Sequence, residues 1–143
     1  MVYGNTVSIV VPDPGAFWLE NPSRVDGTAI LVPGQYVDAY KLALHQGRYK
    51  ALCQRNGKVN VWRDSNKDSI LNWEEGNAGD SGYYGINIHH AGANSTQVGR
   101  WSAGCQVFAR MVDWNEALKL WEDSGASSFT YTLITEEALS YGE

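Results

Sequence analysis

A mainly β fold with one principal helix is what the sequence predicts, and three observations carry that expectation. Short runs rich in β-branched residues, such as 6–11 and 28–32, are bounded by proline and glycine, the pattern of strands between turns. The pair Asn56-Gly57 stands between two further strand-like runs, where it suits a two-residue hairpin turn with positive φ. Only late in the chain, over MVDWNEALKLWEDSG, do apolar residues recur at helical spacing.

Taken in order, the elements follow from these signals. At 143 residues, with 43% hydrophobic and 19% charged side chains, the chain is expected to form one domain over 1–143 with its own core. Between the first two strand runs, PDPGAFWLENPSRVDG is dense in turn formers and predicts a loop with at most one helical turn. Pro33 and Gly34 lead into QYVDAYKLAL, which fits a strand or a helix. Residues 47–54 and 58–63 then read as the two arms of the Asn56-Gly57 hairpin, and a Gly-rich connection leads to GINIHH as a strand. In the helix, Asp113 and Glu116 have capping-box spacing, Trp114, Ala117, Leu118 and Trp121 form the apolar stripe, and Gly125 supplies the stop. Residues 128–134, SFTYTLI, predict a last strand.

Composition narrows the classes of function. Eleven Lys and Arg against 16 Asp and Glu give a formal charge of −5, which disfavours nucleic acid as a partner. The apolar run VSIVV is too short for a signal-peptide core or a membrane span, so no membrane insertion is expected. Two cysteines make no disulfide framework, and Cys53, in the apolar run KALCQ, is expected to be a buried free thiol. Oligomeric state is not encoded in any of these features.

The stretch DSNKDSILNWEE matches a calcium-binding loop pattern, with Asp64, Asn66, Asp68, Asn72 and Glu75 at positions 1, 3, 5, 9 and 12. Ser69 stands where such a loop has glycine, and a strand-like segment precedes it where a helix is usual. Calcium and a solvated polar turn are therefore the two readings of 64–75. No other cofactor is expected.

Chemistry concentrates in residues 84–108, YGINIHHAGANSTQVGRWSAGCQVF. A thiol on a Gly-flanked turn with an upstream imidazole is the raw material of a cysteine nucleophile, since a base must generate the thiolate that attacks. Strand alternation puts Ile86, Ile88 and His90 on one face and Asn87 and His89 on the other. With the isoleucines in the core, His89 becomes the better candidate base, although a β-bulge would hand that role to His90. Gly104 permits a tight turn and close backbone approach, and N–H groups near Gly104, Cys105 and Gln106 are candidate oxyanion donors. Ser102 either hydrogen-bonds near the thiol or caps the turn. Trp101 reads as core or as a cleft wall, and His45 as a polar strand end or a substrate contact. Zinc would find too few ligands here, because the neighbouring histidines point apart and no second cysteine stands at CxxC spacing. The order His then Cys also differs from papain-like enzymes, and the gap is too short for caspases.

These residues resemble the L,D-transpeptidases of bacterial peptidoglycan, the YkuD-like family. INIHHAG corresponds to the family's histidine strand, SAGC to its Ser-x-Gly-Cys turn, and MVDWNEALKLW to the helix that follows; LALHQGRYKALCQ and VWRDSNKD are similar to a compact subgroup found in phage and bacterial genomes. Ala103 stands where the family has a second histidine before the glycine, and Val107 where many members carry arginine. The resemblance implies a YkuD-like β-sandwich or barrel, Cys105 as nucleophile and an upstream histidine as base. It further implies a peptidoglycan stem peptide as partner, with a thioester resolved by an amine or by water; the residues read here as its candidate contacts are Arg100, Gln106, Trp101, His45 and Asn87. A chain of this kind would reach the wall after export, phage-mediated lysis or signal removal. The rival from another class is a non-catalytic module that binds the cell wall or calcium.

Overall fold

The computed structural model describes residues 2–3, 6–7, 10–11, 16–67, 79–92, 100 and 102–135. In chain order the strands are β1 (Val2–Tyr3), β2 (Thr6–Val7), β3 (Val10–Val11), β4 (Thr28–Leu31), β5 (Gly34–His45), β6 (Tyr49–Gln54), β7 (Val59–Asp64), β8 (Asp80–Gly82), β9 (Ile88–His90), β10 (Gln106–Phe108) and β11 (Phe129–Leu133). Helix α1 (Ala16–Glu20) lies between β3 and β4, and α2 (Met111–Asp123) between β10 and β11. The fold is mainly β, with α2 as its principal helix. A six-stranded sheet in the order β11-β5-β6-β9-β10-β3 is joined by a three-stranded sheet, β4-β7-β8, and the pair β1-β2.

The ambiguous segment after Pro33 is a strand, and it makes the hairpin that the sequence led us to expect elsewhere. β5 pairs with β6 from Tyr40↔Gln54 to His45↔Tyr49. The Arg48 N–H donates to the His45 carbonyl at 2.9 Å across Gln46 and Gly47, whose φ angles of 49° and 72° supply the positive values a tight hairpin turn requires. Asn56-Gly57 does not make a hairpin. Neither residue has positive φ, and both N–H groups donate to the Ala39 carbonyl, at 3.1 and 3.3 Å. A tertiary acceptor thus captures the turn, so β6 and β7 separate into different sheets.

Gln54, at the end of β6, fastens this crossing. Its Oε1 accepts the backbone N–H groups of Tyr84, Gly85 and Ile86 at 2.9–3.3 Å, while Nε2 donates to the carbonyls of Gly57 and Gly82 at 2.8 and 3.0 Å. The segment leading into β9 is therefore anchored by a buried side chain, whose loss would strand several buried backbone groups.

The helix covers one face of the large sheet. Trp114, Ala117 and Trp121 are buried along α2, while Leu118 is half-buried. Trp114 and Trp121 meet Phe108 edge-on, at centroid distances of 5.5 and 6.2 Å, the geometry that aromatic quadrupoles favour. Lys50 of β6 pairs with Glu122 of α2 at 2.7 Å on the same side. The capping box is not formed: the helix starts at Met111, Arg110 is the N-cap without a side-chain cap, and Asp113 lies buried in the first turn, 3.7 Å from Arg110. Gly125, at φ 64°, ends the helix as expected. Among the described residues no helix is long and apolar enough to cross a membrane.

Candidate active site

The site is built where β9 and β10 run parallel, with Gln106↔Ile88, Val107↔His89 and Phe108↔His90 in register. Phe108 packs against the tryptophans of α2. By alternation Val107 and Cys105 project to the opposite face, and the register gives His89 and Asn87 that same face. The Gln106 N–H donates to the Asn87 carbonyl at 2.9 Å, extending the ladder to the Cys105 turn. Ideal parallel spacing then separates the Cys105 and His89 Cα atoms by about 8 Å. His90 lies on the other side, its ring 5.3 Å from that of Trp114 and its Nδ1 held by the Ala91 carbonyl at 2.5 Å.

The turn before β10 is tightly specified. Gly104 has φ 136°, and a Cβ there would stand 2.7 Å from the Ala29 carbonyl oxygen of β4, so no other residue fits without strain. The close approach is thus to the protein's own second sheet. Ser102 spans the turn, accepting the Gly104 N–H at 3.0 Å and donating to the Cys105 carbonyl at 2.8 Å. It caps the turn and also lies near enough the sulfur to favour its ionised form. Two expected oxyanion donors are already occupied: the Gly104 N–H by Ser102 and the Gln106 N–H by Asn87. Among the described residues the Cys105 N–H is the backbone donor of this turn left for that role.

His89 is 2% exposed. Its Nδ1 lies 2.9 Å from the His90 carbonyl oxygen and 3.3 Å from the Tyr49 hydroxyl. A carbonyl only accepts, so Nδ1 carries the proton and Nε2 the lone pair. That Nε2 is buried with no hydrogen-bond partner among the described residues. Burial lowers the His89 pKa to about 4, helped by the neighbouring His45 and His90 and opposed by the His90 carbonyl. The Cys105 thiol, half-buried, donates to the Gly85 carbonyl at 3.4 Å. Burial raises its pKa to about 11, against the Asn87 backbone and the Ser102 hydroxyl. At neutral pH the resting pair is a thiol and an uncharged imidazole.

The remaining expected contacts divide. His45, 7% exposed at the end of β5, stacks on His89 with ring centroids 4.3 Å apart and planes at 25°. Asn87 is committed internally: Oδ1 accepts the Gln54 N–H at 2.9 Å, and Nδ2 donates to His45 Nδ1 at 3.0 Å. Gln106 is fully buried, with Oε1 accepting the Tyr131 hydroxyl at 3.1 Å, so its side chain faces the core and not a ligand. Arg100 is exposed and rests over the Phe17 ring at 4.1 Å, while its carbonyl accepts the Trp18 indole N–H at 3.2 Å. Trp101 lies outside the described residues. Tyr49 was not anticipated; it follows the β5–β6 turn, so strand order and not local pattern brings it to His89.

Of the calcium-loop positions, Asp64 is fully buried at the end of β7 and Asn66 is exposed. Asp68, Asn72 and Glu75 lie outside the described residues. Among the described residues no three His, Cys, Asp or Glu side chains are grouped to hold a metal. Comparison with protein-family models, curated proteins and solved structures returned no match.

Proposed function

We propose that the chain is a cysteine acyl-transfer enzyme of the L,D-transpeptidase type, acting on peptidoglycan stem peptides through Cys105 and His89. One observation carries the reading. The Cys105 turn feeds directly into β10, whose parallel register with β9 gives the thiol and the imidazole one sheet face, and His89 offers there a buried, unprotonated Nε2 that has no hydrogen-bond partner among the described residues. An acceptor without a donor in a dry position is costly. The thiol proton, which in the resting site points to the Gly85 carbonyl, is the donor this reading brings to Nε2 during attack.

In the reaction, Cys105 Sγ attacks the carbonyl carbon of the bond joining diaminopimelate or lysine to D-alanine. The thiol proton passes to His89 Nε2, and the carbonyl electron pair moves to oxygen, with the Cys105 N–H as oxyanion donor. Collapse breaks the C–N bond, the imidazolium returns its proton to the departing amine, and a thioester remains. An amine acceptor then completes transfer, whereas water completes hydrolysis. With burial holding the thiol up and the imidazole down, forming the ion pair in advance is strongly unfavourable. Proton transfer therefore accompanies attack, as general base catalysis.

Incubation with muropeptides, with products followed by mass, tests the assignment; turnover that survives Cys105→Ala ends it. Loss of turnover in His90→Ala but not in His89→Ala would move the base. One observation favours a second reading, a non-catalytic wall-binding module: the burial-raised pKa of the Cys105 thiol suits an inert cysteine. Iodoacetamide labelling near pH 7.5 separates the two, because a working His89 makes His89→Ala label more slowly, while an inert thiol labels equally in both.

A further inference from the structure

The buried pair of imidazoles asks for a further explanation, since two stacked histidines are an expensive way to fill a sheet face. Asn87 determines the state of the outer one. Because its Oδ1 accepts the Gln54 N–H, its other end is an NH2, which can only donate; His45 Nδ1 must therefore be an acceptor, and the His45 proton sits on Nε2. His45 is thereby held as one neutral tautomer in one orientation, and its ring covers a face of His89 at 4.3 Å. The edge of His89 is fixed by the His90 carbonyl and the Tyr49 hydroxyl. Rotation of the His89 ring about its Cβ–Cγ bond would carry Nδ1–H off the His90 carbonyl, which fixes the tautomer, and swing Nε2 away from where the reading above needs a lone pair; a full half-turn would leave Cδ2 and Cε1 in the places of the two nitrogens. The stacked face of His45 opposes that rotation together with the His90 carbonyl.

We propose that His45, pinned by Asn87, is a positioning residue that keeps the His89 ring from rotating off the His90 carbonyl and so holds Nε2 as the proton-accepting atom. The inference rests on the reading of Cys105 and His89 as nucleophile and base. It goes beyond that reading in giving His45 a role without substrate contact, and in making Asn87 part of the same device.

Two substitutions separate the ring from its hydrogen bond. His45→Phe keeps an aromatic face over His89 without the Nδ1 acceptor, and His45→Gln keeps an acceptor without the face. Each is compared with the unsubstituted chain by ¹⁵N NMR of the His89 imidazole and by muropeptide turnover. We expect His45→Phe to retain a single Nδ1–H tautomer and turnover within about threefold. His45→Gln should show mixed tautomers and lose kcat by about 100-fold, the scale of a misplaced catalytic group, at unchanged KM. A single tautomer in His45→Gln overturns the proposal, as does a loss confined to KM, which would make His45 a substrate contact. If the unsubstituted chain turns over no muropeptide, the reading of Cys105 fails, and the NMR comparison still decides the role of His45.

Discussion

The two faces of the six-stranded sheet are made from the same strands and differ in kind, although among the described residues each holds a buried polar atom without a hydrogen-bond partner, the Tyr40 hydroxyl on the α2 side and His89 Nε2 on the other. On the α2 side, Phe108, Trp114, Trp121, Tyr40 and Tyr131 interlock edge to face, and Gln106 in their midst bonds to the Tyr131 hydroxyl. On the other side, adjacent residues of the same two strands present Cys105, Asn87 and His89, with His45 stacked above and His89 Nε2 without a partner among the described residues. The first arrangement is what packing and quadrupole geometry favour. The second leaves a buried acceptor unsatisfied and holds two imidazoles uncharged, which packing alone does not explain. A fold tolerates such a deficit where the remaining face supplies stability, and the orphaned group is where chemistry is to be sought.

If that division is right, substitutions on the two faces fail differently. Cys105→Ala should abolish muropeptide turnover, a loss on the order of 10⁶-fold as for other covalent nucleophiles, with a melting temperature near that of the unsubstituted chain. His89→Ala should cost about 10²–10⁴-fold in turnover. On the other face, Trp114→Ala should reduce unfolding free energy by about 3–5 kcal/mol, measured by denaturant titration, while the fraction still folded keeps its turnover. A comparable loss of stability in Cys105→Ala would erase the contrast.

How far the sequence foretold these two faces depends on whether a signal was local. The α2 stripe and its glycine stop were legible, because helical spacing and a left-handed C-terminal residue are local properties. Alternation alone also put Asn87 and His89 on the face away from Ile86 and Ile88. The Asn56-Gly57 turn was misread because its N–H groups are captured by Ala39, a competitor that no local pattern reveals. Equally illegible was the Gln46-Gly47 turn, since QYVDAYKLAL before it suited a helix as well as a strand. From that turn follows the placement of His45 and Tyr49 around His89, which needs β5, β6 and β9 to be neighbours. Gln106, next to Cys105 in sequence, was expected to meet substrate; strand alternation turns it into the aromatic core.

The polar face should also reveal itself in acid. The folded pKa of His89, about 4, lies below the ordinary value near 6.5, so as pH falls the unfolded chain takes up the proton first. The contribution of neutral, buried His89 is fully present above about pH 6.5 and is lost as pH falls toward 4. Its magnitude is about 3 kcal/mol, and His45, lowered chiefly by burial, acts in the same direction. Denaturant titrations at pH 7 and pH 4.5 should show this loss and a smaller one in His89→Phe. An equal loss in both would mean that the acid sensitivity arises elsewhere.

The smallest expected effect lies at the turn that joins the two faces. Ser102 spans its own turn, holding the Gly104 N–H and the Cys105 carbonyl. Ser102→Ala should therefore cost about 1–2 kcal/mol of stability, the penalty for unsatisfied buried groups. Turnover per folded molecule should fall by less than about tenfold, because Gly104 and the β10 ladder still aim Cys105. Activity and unfolding free energy measured on the same preparation decide the matter. A turnover loss near that of His89→Ala, with stability unchanged, would move Ser102 from holding the turn to acting on the thiol, and the boundary between the two faces would then run through the turn itself.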